Sequence, residues 1–188
     1  MESMGAAFDE SFKKRYRRNK EALEWYDALA MAVAVIAIVF TFFVRIVKVD
    51  GHSMDPTLFN GERILINLMK QPDYGDIVVV DGYTSYGKPL VKRVIGKGGD
   101  TIDIDFAAGI VYRNGVALDE PYTAEPTYLY ESVDFPITVP DSCLFVMGDN
   151  RNNPPYSRDS RVGCVDERDI MGAAMLRVLP FGKIGAAE

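Results

Sequence analysis

Residues 28–44, "ALAMAVAVIAIVFTFFV", run for seventeen positions without a charge, and only Thr41 interrupts the apolar surface. Trp25 and Tyr26 bring the apolar stretch to about nineteen residues, which at about 1.5 Å rise per residue comes close to the ~30 Å hydrocarbon thickness of a bilayer. The two aromatics fall where interfacial rings belong, and Arg45 and Lys48 can snorkel at the other end. A buried globular helix of this length would carry a polar stripe, which this one lacks. A cleaved signal peptide would have its basic region nearer the start and a small-x-small site after the apolar run, where this chain has "FTFFVRIVKV". The run therefore reads as a permanent anchor over residues 25–45.

Orientation follows from charge. "KKRYRRNK" (13–20) carries six basic residues and no acid, against Arg45 and Lys48 on the far side. Short basic flanks stay in the cytoplasm, which predicts a cytoplasmic segment 1–24 and a single pass of the cell membrane. Residues 46–188 are then extracytoplasmic. They hold 14 Lys/Arg and 21 Asp/Glu, net −7. An acidic domain lacks the basic face that nucleic acid requires, so that class of partner is excluded. Cys143 and Cys164 would meet surroundings that permit a disulfide, although two buried thiols fit the sequence equally well.

Beyond the anchor the pattern changes to period two and short apolar runs. "RILINLM" (63–69), "DIVVVD" (76–81), "LVKRVI" (90–95), "TIDID" (101–105), "IVYR" (110–113), "CLFVMG" (143–148) and "AAMLRVL" (173–179) each read as strands. Asn114-Gly115 between "GIVYR" and "VALDE" signals a type I′ hairpin turn. The expected architecture is mostly β, with two antiparallel sheets packed face to face and a smaller hairpin-rich lobe inserted over about 98–142.

The chemistry centres on "VDGHSMDPTL" (49–58), which sets the chain's one histidine, His52, beside Ser53. A serine hydroxyl becomes a useful nucleophile only when a base within hydrogen-bond reach takes its proton. In an extended segment neighbouring side chains project to opposite sides, so His52 would point away from Ser53 and serve as a half-exposed neighbour. The alternative base is an amine whose charge is disfavoured by burial. Lys92 stands among Leu90, Val91, Val94 and Ile95, and alternation sends Arg93 to the opposite side. From pattern alone an ordinary edge-strand lysine fits as well. A third stretch, "MGDNRNNPPYSRDSR" (147–161), gathers Asp149, Asn150, Arg151, Ser157, Asp159 and Arg161 into one loop, a composition that surface turns also use.

Together and in this order these stretches resemble the type I signal peptidases of bacteria. "GHSMDPTL" is similar to that family's serine motif, "YGDIVVV" to its G-D-[IV]-V-V strand, "VKRVIGKGGD" to its lysine motif, and "MGDNRNNPPYSRDSR" to its G-D-N-R-x-x-S-x-D-S-R loop. A single anchor and a small insert resemble the Gram-positive-like branch. The resemblance implies Ser53 as nucleophile and Lys92 as neutral general base. It implies Ser157 and Asp159 as residues that orient the amine, Arg161 and Arg93 as holders of the aspartate, and the Ser53 backbone N–H as an oxyanion donor. Position 51 is glycine, so a second oxyanion donor must be backbone or water. Lys97-Gly98 replaces the usual Leu-Pro, and the last loop is longer than the pattern around "PPY", on which the assignment of Ser157 depends.

The implied function is removal of N-terminal signal peptides from secreted preproteins after small residues of Ala-x-Ala type. The bilayer and the preprotein would be its partners, with the secretion translocon as a further candidate. No metal or nucleotide cofactor is implied, and no His/Cys cluster or phosphate loop suggests one. Two other classes fit some of these features. A self-cleaving Ser/Lys protease of the repressor type would need a DNA-binding segment, for which 24 N-terminal residues are too few. A non-catalytic tethered β-domain, acting as an assembly or interaction partner, would need none of the catalytic geometry.

Overall fold

The computed structural model describes residues 2–82, 87–130, 133–152 and 164–187, with side chains from residue 19 onward. It divides into two compact units, 1–43 and 44–188.

The first unit is one helix, α1 (Glu2–Phe42). Within it, Asn19–Phe42 is long and apolar enough to cross a membrane, with a mean hydropathy of 2.0. Side chains from 19 to 43 are all exposed, as expected of an apolar surface that meets lipid rather than protein. The sequence reading carried the anchor to residue 45. The helix stops at Phe42, and Val44 already belongs to a strand. The alternating branched residues of "VRIVK" suit a pleated backbone better than another helical turn.

All strand pairings among the described residues of the second unit are antiparallel, and the two sheets expected from the sequence are present. The larger holds β1 (Val44–Lys48), β2 (Arg63–Asn67), β3 (Ile77–Val80), β4 (Leu90–Lys97), β9 (Cys143–Met147), β10 (Cys164–Asp166) and β11 (Ile170–Leu179). Its order is β1-β2-β11-β3-β4-β9-β10, and β12 (Gly185–Ala186) pairs with β11. The smaller holds β5 (Thr101–Asp105), β6 (Ile110–Arg113), β7 (Val116–Ala117) and β8 (Ile137–Thr138), ordered β7-β6-β5-β8. Asn114 (φ 54°) and Gly115 (φ 78°) form the turn between β6 and β7, the left-handed pair that a type I′ hairpin requires.

Strand β3 explains the layering. All four residues of "IVVV" are buried, and they alternate between two clusters. Val78 and Val80 join Leu90, Val94, Leu144 and Val146, whereas Ile77 and Val79 join Ile64, Ile66, Met54 and Leu58. A strand covered on both faces reads as a continuous apolar run, which is how it looks in the sequence. A third cluster ties the sheets together. Ile95, Phe145 and Met147 of the larger sheet pack with Ile102, Ile104 and Val111 of the smaller.

Candidate active site

Ser53 sits on a turn between β1 and β2 that closes on itself. Val49 N–H donates to Glu62 O at 2.8 Å and Gly61 N–H to Val49 O at 2.9 Å. Gly51 takes φ +101°, where a side chain would be strained, and its N–H donates to Asn60 Oδ1 at 3.1 Å. Met54 and Leu58 are 1% and 0% exposed and plug the turn into the cluster beneath it. Burying two such side chains contributes about 1.5–3 kcal/mol each. Leu58 N–H donates to Met54 O at 2.9 Å, one turn of helix-like backbone that puts both side chains on the same side.

The extended geometry assumed for His52 and Ser53 is corrected here, because the segment is a turn and Asp55 N–H bonds back to His52 O at 3.3 Å. His52 is still the half-exposed neighbour that the sequence predicted. Its side chain is 62% exposed, and Nδ1 lies 3.0 Å from Asp55 Oδ2.

Lys92 lies in the middle of β4, paired with Val78, and is 0% exposed. Its position relative to the serine is read through Gly148, just past β9. A methyl placed on Gly148 would overlap the carbonyl oxygen of Ser53. It would also lie 3.3 Å from both the Ser53 carbonyl carbon and Lys92 Nζ. The Lys92 amine and the Ser53 peptide thus meet at one point, and only glycine leaves room there. Beside it opens a cleft of about 360 Å³ lined by His52, Ser53, Val49, Val79, Leu90 and Val91.

Arg93 meets a carboxylate, and that carboxylate is Asp149. Nε donates to Asp149 Oδ1 at 2.8 Å and Nη2 to Oδ2 at 2.7 Å, while Nη1 donates to Gly75 O at 2.7 Å. Asp149 is 0% exposed and also accepts the Thr57 hydroxyl at 2.5 Å. Thr57 O accepts from Arg177 Nη2 at 2.5 Å. The serine turn is therefore tied to two neighbouring segments through a single threonine. Asn150 adds two more ties, from its backbone N–H to Ser53 O (3.1 Å) and from Nδ2 to His52 O (3.0 Å).

Ser157, Asp159 and Arg161 lie outside the described residues. The structure brings together Ser53, Lys92, Arg93 and the turn 148–152. Sequence reasoning gave Asp149, Asn150 and Arg151 no individual role and missed Thr57, Glu120 and Tyr122 altogether. Glu120 and Tyr122 approach the turn only through the fold, in a stretch whose composition is that of an ordinary loop.

Cys143 and Cys164 are both free thiols. They sit on adjacent strands in a register that pairs Cys143 with Asp166 and Cys164 with Phe145. Burial, and then the neighbouring Cys143, push the Cys164 thiol up to about 11.

A buried lysine and a serine on a tight turn, in a β unit that follows an apolar helix in the chain, make a candidate peptidase site. The comparisons agree. Residues 22–179 match the family described as signal peptidase, peptidase S26. Signal peptidase I S of Bacillus subtilis is 36% identical over 179 residues, covering 89% of this chain and 94% of the relative. Signal peptidase IB of Staphylococcus aureus is 34% identical, covering 87% and 93%. Probable signal peptidase I-1 of Synechocystis is 37% identical, covering 84% and 83%. A crystal structure of a signal peptidase I from Enterococcus faecalis aligns with a TM-score of 0.45 at 27% identity, over 55% of this chain and 97% of that one. The chain belongs to the signal peptidase family, peptidase S26. With its apolar N-terminal helix it is a membrane-anchored peptidase that acts on signal peptides.

Proposed function

We propose that the chain cleaves preproteins after small residues of the Ala-x-Ala type, with Ser53 as nucleophile and neutral Lys92 as general base. The observation that carries this reading is the point beside Gly148, 3.3 Å from both Lys92 Nζ and the Ser53 carbonyl carbon. Lys92 is fully buried, and removing water from an amine disfavours its charged form. Ser53 Oγ gives its proton to Lys92 Nζ as it bonds to the scissile carbonyl carbon, and the carbonyl oxygen becomes an oxyanion facing the Ser53 N–H. The C–N bond then breaks, and the departing amine takes the proton from Lys92. Lys92 Nζ then takes a proton from water as the water oxygen bonds to the acyl carbon, and returns it to Ser53 Oγ as the bond to the signal peptide breaks.

The cleft supports the specificity. Its apolar wall is formed by Val49, Val79, Leu90 and Val91, alongside polar residues that include Asp50, His52 and Lys88, and small apolar side chains of a substrate would rest against that wall. An extended substrate chain would bind there as an added strand. Ser157 and Asp159 complete the proposed site as residues that orient the amine, and Arg161 as the residue that holds the aspartate. Arg93 belongs to it through Asp149. We assign residues 1–24 to the cytoplasm, 25–42 to the membrane and the β unit from Val44 onward, with the lobe at about 98–142, to the outside, beside the translocon that delivers preproteins.

The test incubates the detergent-solubilised chain with a peptide containing an Ala-x-Ala signal-peptide site, beside Ser53→Ala and Lys92→Ala. Cleavage after the second alanine by the wild type, and by neither variant, is expected. A Lys92→Ala variant that cleaves at the wild-type rate would remove the proposed base.

A further inference from the structure

The small sheet stands apart from the serine turn in sequence, yet the segment leaving it grips the turn 148–152 closely. Arg151, with a side chain 1% exposed, donates Nη1 and Nη2 to the two carboxylate oxygens of Glu120, both at 2.6 Å. Nη1 also donates to the hydroxyl of Thr127, itself 1% exposed, at 3.1 Å. Nε donates to the carbonyl oxygen of Gly148 at 3.0 Å. That glycine is the one against which Ser53 and Lys92 both lie.

Tyr122 fills the space between the two arginines of the site. The Arg93 guanidinium lies 4.0 Å from its ring centroid and that of Arg151 5.8 Å, and its hydroxyl donates to Glu120 Oε1 at 2.9 Å. Burial first, then the Glu120 charge, push the phenol far above its ordinary value, so it stays a neutral donor. Asn152 fastens the same segment from the other side. Its Oδ1 accepts from Tyr128 N–H (2.9 Å) and Leu129 N–H (3.0 Å), and its Nδ2 donates to Pro126 O (2.9 Å).

From this network we propose that Glu120 is a positioning residue for peptide cleavage, acting through Arg151 on the Gly148 peptide and so on the approach of Lys92 to Ser53. The proposal rests on the Ser53/Lys92 reading. A bidentate carboxylate fixes the guanidinium in its plane as well as in place. Nε of that guanidinium then fixes the Gly148 carbonyl. Loss of Glu120 removes both of its bonds to the guanidinium, and the peptide that spaces amine and serine loses part of its outer support. The carboxylate touches no reacting atom, so its removal acts on turnover and leaves substrate binding in the cleft intact.

The experiment compares wild type, Ser53→Ala, Glu120→Ala, Glu120→Asp and Thr127→Val as full-length proteins in detergent. It measures kcat and KM on the signal-peptide substrate, with thermal melting as the folding control. A displacement of about 1 Å in a catalytic arrangement costs roughly 10²-fold, so Glu120→Ala is expected to lose kcat on that scale with KM within about twofold of wild type. Glu120→Asp, which keeps a carboxylate, is expected to recover most of the loss. A folded Glu120→Ala with wild-type kcat, or one whose loss lies in KM alone, overturns the proposal. If Glu120→Ala fails to melt cooperatively, Thr127→Val decides, since it removes one acceptor of Arg151 and no charge. Reduced kcat at unchanged KM supports the proposal, and wild-type kcat overturns it. A wild type no more active than Ser53→Ala overturns the peptidase reading and this proposal together, whereas an active wild type matched by Glu120→Ala overturns this proposal alone.

Discussion

The backbone N–H of Asn150 donates to the carbonyl oxygen of Ser53 at 3.1 Å, and its side-chain amide donates to the carbonyl of the preceding residue, His52, at 3.0 Å. One residue thus holds both peptides that flank the nucleophile's position. Asn150→Ala deletes the second bond and spares the first. A single hydrogen bond is worth about 0.5–1.5 kcal/mol, so turnover should fall a fewfold to about tenfold. The melting temperature should barely move. Steady-state kinetics beside a thermal melt check both.

Gly148 makes a harsher prediction. A methyl there overlaps the Ser53 carbonyl oxygen, a backbone atom that cannot step aside, and crowds Lys92 Nζ at 3.3 Å. Gly148→Ala should abolish cleavage and destabilise the chain by about 1–3 kcal/mol, the usual cost of overpacking. Wild-type cleavage by this variant would show that the close approach is unimportant.

The Arg93–Asp149 pair is buried on both sides, with side chains 6% and 0% exposed. Removing one partner of such a pair leaves a charge stranded in the interior, at about 3–5 kcal/mol. Asp149→Ala should therefore lower the urea midpoint strongly. A paired replacement of Arg93 and Asp149 by apolar residues should destabilise less than Asp149→Ala does.

Asp100 couples the sheets to pH. Burial works to raise its carboxyl pKa, but bonds from Lys97 N–H, the Asn114 amide and the Tyr74 hydroxyl outweigh it and leave the value below the ordinary 3.8. A depressed folded value means that stability is present above the unfolded pKa and is lost as pH falls through the folded one. Wild type should melt above Asp100→Asn at pH 5–7, and the gap should close as pH drops below about 4. Melting curves across that range test the sign.

His52 tests the choice of base. It is solvent-exposed, and Asp55 lies 3.0 Å from its Nδ1. Loss of a general base costs roughly 10²–10⁴-fold, and His52→Ala should cost far less than that. With Lys92 as the base, wild-type activity rises with pH as the amine loses its proton. A profile flat from acid to neutral would argue against the amine.

The strands were legible wherever burial on one or both faces imposed a pattern, as in "DIVVVD" and "TIDID". They were not legible where pairing alone makes them. Ile137–Thr138 and Gly185–Ala186 are two residues each and carry no periodicity, whereas the equally short Val116–Ala117 was announced by the Asn114-Gly115 turn before it. The start of Val44–Lys48 was absorbed into the anchor, which was carried to Arg45 because Val44 continues the apolar run. For the candidate site, "GHSMDPTL" and "VKRVIG" drew attention to Ser53 and Lys92 through the family resemblance, while pattern alone left Lys92 open to an ordinary strand role. Thr57 stood in the quoted motif yet offered no sign of its bond to Asp149, 92 residues away. Glu120 in "DEPYTAEPT" looks like any acidic residue of a loop. Its meaning depends on a guanidinium 31 positions later, a relation that only the fold creates.

Met54 and Leu58 belong at once to the loop that presents the serine and to the packing under the large sheet. Segments with few buried contacts can open locally at little cost, while those rooted in a core open only with the whole molecule. The Leu58 amide, donated to Met54 O at 2.9 Å, should accordingly exchange with deuterium as slowly as the central strands. The working end of this enzyme is then among its most rigid parts, and any mobility needed to admit a substrate must come from the other wall of the cleft.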